Sequence, residues 1–463
     1  MSTIGDDDDD DNEPVINVTQ LVQLTDLGIN EKDINWSKVK INSYRWIAVR
    51  HSKPMQECQG LEPMVSTEMA CSLPSEAYYP HLFSPYHRNY SCDDLQHIRN
   101  SHEGHCPNHK TNGAIAGVVS QETVITVINP FTNHLYNCQT SCDTKCAQIS
   151  ADNEMIAISN DRYLAVYCVA TNKCLNTLPF ASRCLYWCWI ASNTIAIITD
   201  IDVYHWCIDY PFEPKLVFKL DKRFRDYQIT GYKCDLRNQL WFAISSLYVD
   251  DEGDINGCIQ IYSERNQLSQ CIEAHAFTLC EYRFQANRWP TNVLLAAKRS
   301  HMNTFKIYII ELGPIPEGNN SLISRTEVIP LVDGNDVQHM DIPVAIECNT
   351  ELGLIYVFTK YGALYLCDMD SAALIQSAVI SASVVFAALL DDDSQTVLAI
   401  NRSGQLLSIN LFISQLIRNL TDSAKPEIAQ RIQAIVDSET GSDGRPVGDD
   451  DDDDEDCDEV TRL

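Results

Sequence analysis

Six side chains between Cys92 and His109 carry the donor atoms of a zinc site: Cys92, His97, His102, His105, Cys106 and His109. Thiolate sulfur and imidazole nitrogen are the ligands zinc prefers. Their spacing matches no finger or ribbon pattern, and the flanking residues show no period that would fold around a metal. The segment therefore reads as a polar loop without a metal. Two further histidines sit in more ordered surroundings. His205 lies between Tyr204 and Trp206, and His275 follows Glu273 at two residues. Acid–base or nucleophilic catalysis needs a second group oriented against such an imidazole. The sequence offers none, nor a Gly-x-Ser-x-Gly, a phosphate-cradling glycine loop before Lys-Ser/Thr, or a His-Glu-x-x-His. Both histidines read as structural, and the chain reads as a non-enzyme that needs no cofactor.

Composition excludes further classes. The 463 residues are 45% hydrophobic, enough for one large core with extensions. Met1–Asn12 is acidic and lacks the apolar run of a secretory signal. The 19 cysteines are odd in number and scattered, which reads as reduced thiols used as small apolar filler. Of the formal charge of −30, seven negative charges lie in Asp6–Glu13 and ten in Asp449–Glu459. Runs of like charge repel themselves, so both ends are expected to be disordered. The remainder stays mildly acidic, which argues against nucleic acid and against adsorption to anionic membrane. Ser371–Leu390 is 20 residues without a charge. Gln376, four serines and acidic flanks favour two buried strands joined by a turn over a membrane span. The terminal Val460-Thr461-Arg462-Leu463 has the Thr-x-Leu carboxylate form that adds as a strand to PDZ domains, a form that also arises by chance.

The elements that would position any site are carried by a recurring phrase. Met155–Tyr167, Thr194–Trp206, Leu354–Cys367 and Thr396–Ile409 each read as an apolar run, a polar turn and a second apolar run. Looser copies lie at Val293–Leu312 and Trp241–Tyr262. Recurrence at roughly 40–60 residues is the signature of a blade array. One such unit cannot bury its own faces, so the copies must stack around a common core as a β-propeller. Tyr44–His51 reads as a strand whose hairpin partner, Thr123–Asn129, comes only after an insertion, Ser52–Gln121.

The wording of the blades resembles one family. Leu27-Gly28-Ile29-Asn30, Thr199–Trp206, Ile261-Tyr262-Ser263, Ser269–Ala276, Ile309–Gly313, Pro343-Val344-Ala345, Thr359-Lys360-Tyr361-Gly362 and Asn401–Ser408 occur in order. Together they resemble the N-terminal terminal domain of the clathrin heavy chain, over about residues 15–437. The resemblance implies a seven-bladed propeller followed by a helical linker. Residues 1–14 would form an acidic tail, 15–412 the propeller with its 52–121 insertion, 413–440 the linker and 441–463 a second acidic tail. Helical spacing at Ile413, Leu416, Ile417, Leu420, Ile428, Ile432, Ile435 and Val436, broken at Pro426, fits two short helices. The family's leg and trimerisation region are expected to be absent, so the chain is expected not to assemble cages.

The resemblance also implies two peptide sites. One is a groove between the first two blades, where the family presents Thr-x-Gln-x-Phe and then two lysines. The matching positions are Tyr163, Ala165 and Tyr167, then Asn172 and Cys174, with Ile156 as an apolar wall. Losing the Gln forfeits about 1 kcal/mol of hydrogen bonding, and each exposed lysine up to about 1 kcal/mol. Lys173 would point the other way on a strand. The second is an axial pocket for Trp-bearing peptides, matched by Trp36 (a Phe in the family), Gln228 and Thr230 (an Ile in the family). The function implied by the resemblance is that of a cytosolic propeller in clathrin-mediated vesicle transport, peripheral on coated vesicles and pits. Its expected partners are adaptor linear motifs and other coat components, without membrane insertion. The alternative is a standalone diverged propeller that binds other partners, or competes for adaptors without building a coat. Limited proteolysis should trim both acidic ends and cut within 52–121 while sparing the rest. Rapid cleavage between Met155 and Ile409 would defeat the propeller reading.

Overall fold

The computed structural model describes residues 14–43, 46–52, 123–132, 134–140, 143–209, 213–235, 240–300, 303–331, 341–391, 395–423 and 425–442. The acidic ends, most of the Ser52–Gln121 insertion with its Cys/His cluster, and the Thr-x-Leu terminus lie outside them.

Among the described residues, 28 strands make seven four-stranded antiparallel sheets. The first strand, β1 (Ile16–Gln23), belongs to the last sheet. Blade 1 is β2 (Val39–Ser43), β3 (Trp46–Ser52), β4 (Thr123–Ile128) and β5 (Leu135–Thr140). Blade 2 is β6 (Cys146–Ile149), β7 (Met155–Ser159), β8 (Tyr163–Cys168) and β9 (Cys174–Pro179). Blade 3 is β10 (Cys184–Ala191), β11 (Thr194–Thr199), β12 (Asp202–Cys207) and β13 (Lys215–Lys219). Blade 4 comes next with β14 (Gln228–Cys234), β15 (Trp241–Val249), β16 (Ile255–Ser263) and β17 (Leu268–Ile272). Blade 5 is β18 (Ala276–Tyr282), β19 (Thr291–Ser300), β20 (Thr304–Leu312) and β21 (Ser324–Pro330). Blade 6 is β22 (Pro343–Asn349), β23 (Leu354–Thr359), β24 (Ala363–Asp368) and β25 (Leu374–Val379). Blade 7 joins β26 (Val385–Leu390), β27 (Val397–Asn401) and β28 (Gln405–Leu411) to β1, with Ile16 opposite Leu411 and Gln23 opposite Gln405.

The first strands of successive blades touch in a closed circuit, β26 returning to β2. This is the seven-bladed propeller. With four alternating strands per blade, the chain returns to one face before each new blade, so all first strands start on that face.

The recurring phrase is in every case the second and third strand of a blade. These are the strands with two buried faces. In blade 6, β23 and β24 are buried at every position. Successive side chains point to opposite faces. Accordingly Ile355, Val357, Tyr365 and Cys367 pack toward blade 5, while Leu354, Tyr356, Phe358, Leu364 and Leu366 pack toward blade 7. Each of the seven seams between blades holds its own buried apolar cluster. A fully buried Leu, Ile or Phe contributes about 1.5–3 kcal/mol, so these seams hold the ring closed.

The turn motifs have backbone reasons. Gly362 and Gly404 both sit at φ 82, where a side chain is strained. A Cβ on Gly362 would also lie 2.2 Å from the Ser381 carbonyl oxygen, where the chain leaves blade 6.

The β3–β4 hairpin forms across the insertion, with Ile47 opposite Ile128 and Ser52 opposite Thr123. One expectation needs correction. Ser371–Leu390 does contain two strands, but they belong to different blades, and β25 is only half-buried, because it is the outermost strand of blade 6. No helix among the described residues is long and apolar enough to cross a membrane.

Two helices come after the last blade, α1 (Ile413–Asp422) and α2 (Pro426–Ser442). Leu416, Leu420, Ala429 and Ile432 bury against the blade 6–7 seam. Arg431 fixes α2 to blade 6 through Asp368 Oδ1 at 2.6 Å, Asp370 Oδ2 at 2.9 Å and the Leu352 and Gly353 carbonyls. The Asp368 side chain is 2% exposed, so Arg431→Ala would strand a buried carboxylate. That change should cost roughly 3 kcal/mol, read as a lowered denaturant midpoint. An unchanged midpoint would mean that the helices do not brace the ring.

Candidate peptide-binding site

The residues assigned to the blade-edge groove converge on the blade 1–2 seam, arranged in rows across blade 2. Ile156 pairs with Tyr167, which pairs with Cys174, and Ile158 pairs with Ala165, which pairs with Thr177. Tyr163 lies opposite Pro179. Depth separates them. Ile156, Ala165 and Tyr167 are 1–3% exposed and belong to the seam core with Ile125 and Val127 of blade 1. Tyr163 is half-buried at its margin, with Tyr136 and Cys138 of β5 beside it.

Asn172 takes φ 52 in the β8–β9 turn, and Cys174 opens β9 exposed, its thiol near Thr177 Oγ1 at 3.4 Å. A ligand would meet Tyr163, Cys174, Thr177 and the β5 side chains, while the three deep residues support them from behind. The β5 contribution was not legible in the sequence, because 70 unmatched residues separate its hairpin from the rest of blade 1.

The axial residues lie at or near the starts of first strands. Trp36 precedes β2 and is 44% exposed. Lys40 of β2 places its Nζ 5.3 Å from the Trp36 ring centroid and 5.9 Å from that of Tyr186 on β10. A cation over aromatic faces is held by their quadrupoles. Gln228 and Thr230 are exposed on β14, and the Thr230 hydroxyl meets Ser245 Oγ at 2.8 Å. Farther along the axis, Lys233 donates to Thr278 Oγ1 at 2.7 Å and pairs with Glu347 at 3.3 Å, linking blades 4, 5 and 6. Lys40 and Tyr186 were missed by sequence reasoning, since nothing in their local wording places them beside Trp36.

Inner-strand thiols surround this axis. Burial pushes Cys184, Cys188 and Cys234 up to about 12, so they remain protonated at neutral pH. No group of three or more His, Cys, Asp or Glu among the described residues has a metal-holding arrangement.

His205 and His275 are both enclosed by hydrogen bonds. His205 Nε2 meets the Tyr232 hydroxyl at 2.6 Å, and its ring packs edge-on against Phe242. His275 Nδ1 accepts from the Arg299 N–H at 3.1 Å, so Nε2 carries the proton and donates to the Ile255 carbonyl. Burial, aided by Lys215, lowers His205 to about 4.

The fold and its seams define a class, a closed seven-bladed propeller with a buried apolar cluster in each seam and exposed aromatic and polar side chains at its axial mouth. Within that class the chain is similar to clathrin heavy chains. It is 29% identical over 294 residues to the clathrin heavy chain of Drosophila melanogaster, a match covering 61% of this chain. It is 27% identical over 297 residues to the probable clathrin heavy chain 1 of Caenorhabditis elegans, covering 62%. Human clathrin heavy chain 2 is 26% identical over 293 residues, covering 63%. Each match spans 17% of the relative's own length, in its N-terminal part. No family model matches. Among solved structures, a chain of the mitotic checkpoint complex aligns over 62% of this chain and 86% of its own at 11% identity and a TM-score of 0.44, too weak to bear on fold or function. The resemblance to the clathrin heavy-chain terminal domain therefore rests on both the relatives and the seven-bladed ring.

The histidines give a prediction about stability. Between pH 6.5 and about 4 the unfolded chain binds a proton at His205 that the folded chain refuses. Stability should therefore fall as pH drops through that window, and melting curves of His205→Gln should show a shallower decline than those of the parent. Identical slopes would remove His205 from the account.

Proposed function

We propose that this chain is a peptide-capturing propeller of the clathrin heavy-chain terminal-domain type, working in the cytoplasm in clathrin-mediated vesicle transport. It takes short linear motifs of adaptor proteins and acts by binding, without catalysis. The observation that carries this reading is the similarity to clathrin heavy chains across a closed seven-bladed ring. Such motifs bind weakly one at a time, so useful strength comes from several engagements at once. Placement on coated vesicles and contact with other coat components belong to the same reading.

The axial mouth is the better of the two sites. Trp36, with Lys40 and Tyr186 close by, offers an exposed aromatic surface, and Gln228 and Thr230 offer hydrogen bonds. The blade 1–2 seam offers Asn172 and Cys174 in place of the family's lysines and has three of its assigned residues buried. That altered seam favours a second reading, a diverged propeller that binds other partners or competes for adaptors without building a coat. Recovery of adaptors from cytosol supports the first reading, and a different stable complex supports the second.

Titration separates the sites. A Trp-bearing peptide should bind more tightly than an acidic-box peptide, and Trp36→Ala should weaken it by about 1–3 kcal/mol, the range for an apolar anchor. Asn172→Lys with Cys174→Lys should tighten the acidic peptide and make its binding salt-dependent. Tight acidic-peptide binding to the unmodified chain, unchanged by the lysines, would overturn the assignment of the seam.

A further inference from the structure

A shallow groove opens between blades 2 and 3, one seam along from the blade 1–2 site. Leu178, Pro179 and Phe180 form one wall, and Ile197, Tyr204 and Pro214 form the other. The register explains the second wall. Tyr204 lies opposite Ile197 on one side and Leu216 on the other, and Leu216 is 50% exposed, extending the apolar strip outward. Asp202 and Tyr204 share the face of β12 turned to blade 2. The Tyr204 hydroxyl donates to Asp202 Oδ2 at 3.3 Å, while Asp202 Oδ1 is buried without a hydrogen-bond partner.

One end of the groove is cationic. Arg162 occupies the β7–β8 turn, and its carbonyl accepts the Phe180 N–H at 2.7 Å. The Arg183 carbonyl accepts the Asp200 N–H at 3.2 Å, and Lys219 closes β13 opposite Asp202. All three cations are exposed at the same end of blades 2 and 3, and none forms an ion pair among the described residues. Asp161 beside them is already paired with Lys145 at 2.5 Å, leaving Asp200 and Asp202 as the opposing carboxylates. On a chain of net charge −30 this is a local reversal of sign at the mouth of an apolar cleft. The cleft is shallow, with room for the end of one side chain of a longer ligand.

We infer that this groove docks a short extended peptide of a partner protein, with an apolar side chain between Phe180 and Tyr204 and an acidic side chain at Arg162, Arg183 and Lys219. The peptide backbone runs along the seam. This site is separate from the blade 1–2 seam and the axis, and does not depend on either.

The test uses the full chain and a fluorescein-labelled octapeptide of alternating leucine and aspartate, followed by fluorescence anisotropy. A twin with lysine for aspartate serves as the charge control. Arg162→Glu with Arg183→Glu reverses the rim, and Ala181→Trp fills the cleft. These positions are exposed, and melting curves check that both variants fold. Each variant should weaken the acidic peptide at least 10-fold, and the lysine twin should bind at least 10-fold more weakly to the parent. A photo-crosslinking version of the peptide should label residues 178–183 or 202–219. Absence of binding, affinity unmoved by both variants, or crosslinks confined to the blade 1–2 seam or the axis would overturn the proposal. The last of these outcomes would leave the proposed function standing while removing this groove.

Discussion

The rest of the molecule depends on the two middle strands of each blade burying most of both their faces, most completely in β23 and β24 of blade 6. A strand such as β23, buried at every position, can be satisfied only by a sheet on its left and another on its right. A stack with that requirement has no acceptable end, so it must curve until its last member meets its first. The meeting point is where β1 adds to β28, and the cluster joining Val39, Ile47 and Ile400 seals the seam beside it. Hydrogen bonding within blades sets register, whereas burial between blades sets closure.

That division explains what the sequence discloses. Doubly buried hairpins must be apolar at nearly every position and turn tightly, so they recur as a recognisable phrase. Outermost strands have one wet face and no such demand. β17 and β21 are mostly exposed, and their sequences, LSQCI and SRTEVIP, carry no pattern that separates them from loops. The innermost strands, of 4–8 residues, range from mixed to wholly apolar and so share no recurring phrase. Blade 1 escaped the repeat for a different reason, since its phrase is split between Trp46–Ser52 and Thr123–Ile128.

The strand residues assigned to the blade 1–2 seam share one face, but their depth was not legible in the sequence. Alternation along β8 put Tyr163, Ala165 and Tyr167 on one face correctly, yet alternation says nothing about how far a face lies beneath its neighbour. Only the packed seam distinguishes Tyr163 at the margin from Tyr167 in the core. Companions from other blades, such as Lys40 and Tyr186 near Trp36, depend on the ring closing and are invisible to any local reading. The groove beyond blade 2 is of the same kind, because its walls come from strands of different blades and its charges from three separate turns and strand ends.

The Arg431 clamp has a mechanical consequence. A pull along α2 is received first by a guanidinium held between two carboxylates and two carbonyls of blade 6. Load therefore enters the ring by two routes, through the β23–β24 sheet and through α1, which follows directly from β28 and packs with Val15 and Ile16 at the β1–β28 join. The helices thus share tension between the most deeply embedded blade and the latch, and the Arg431 clamp is what keeps the latch from carrying all of it.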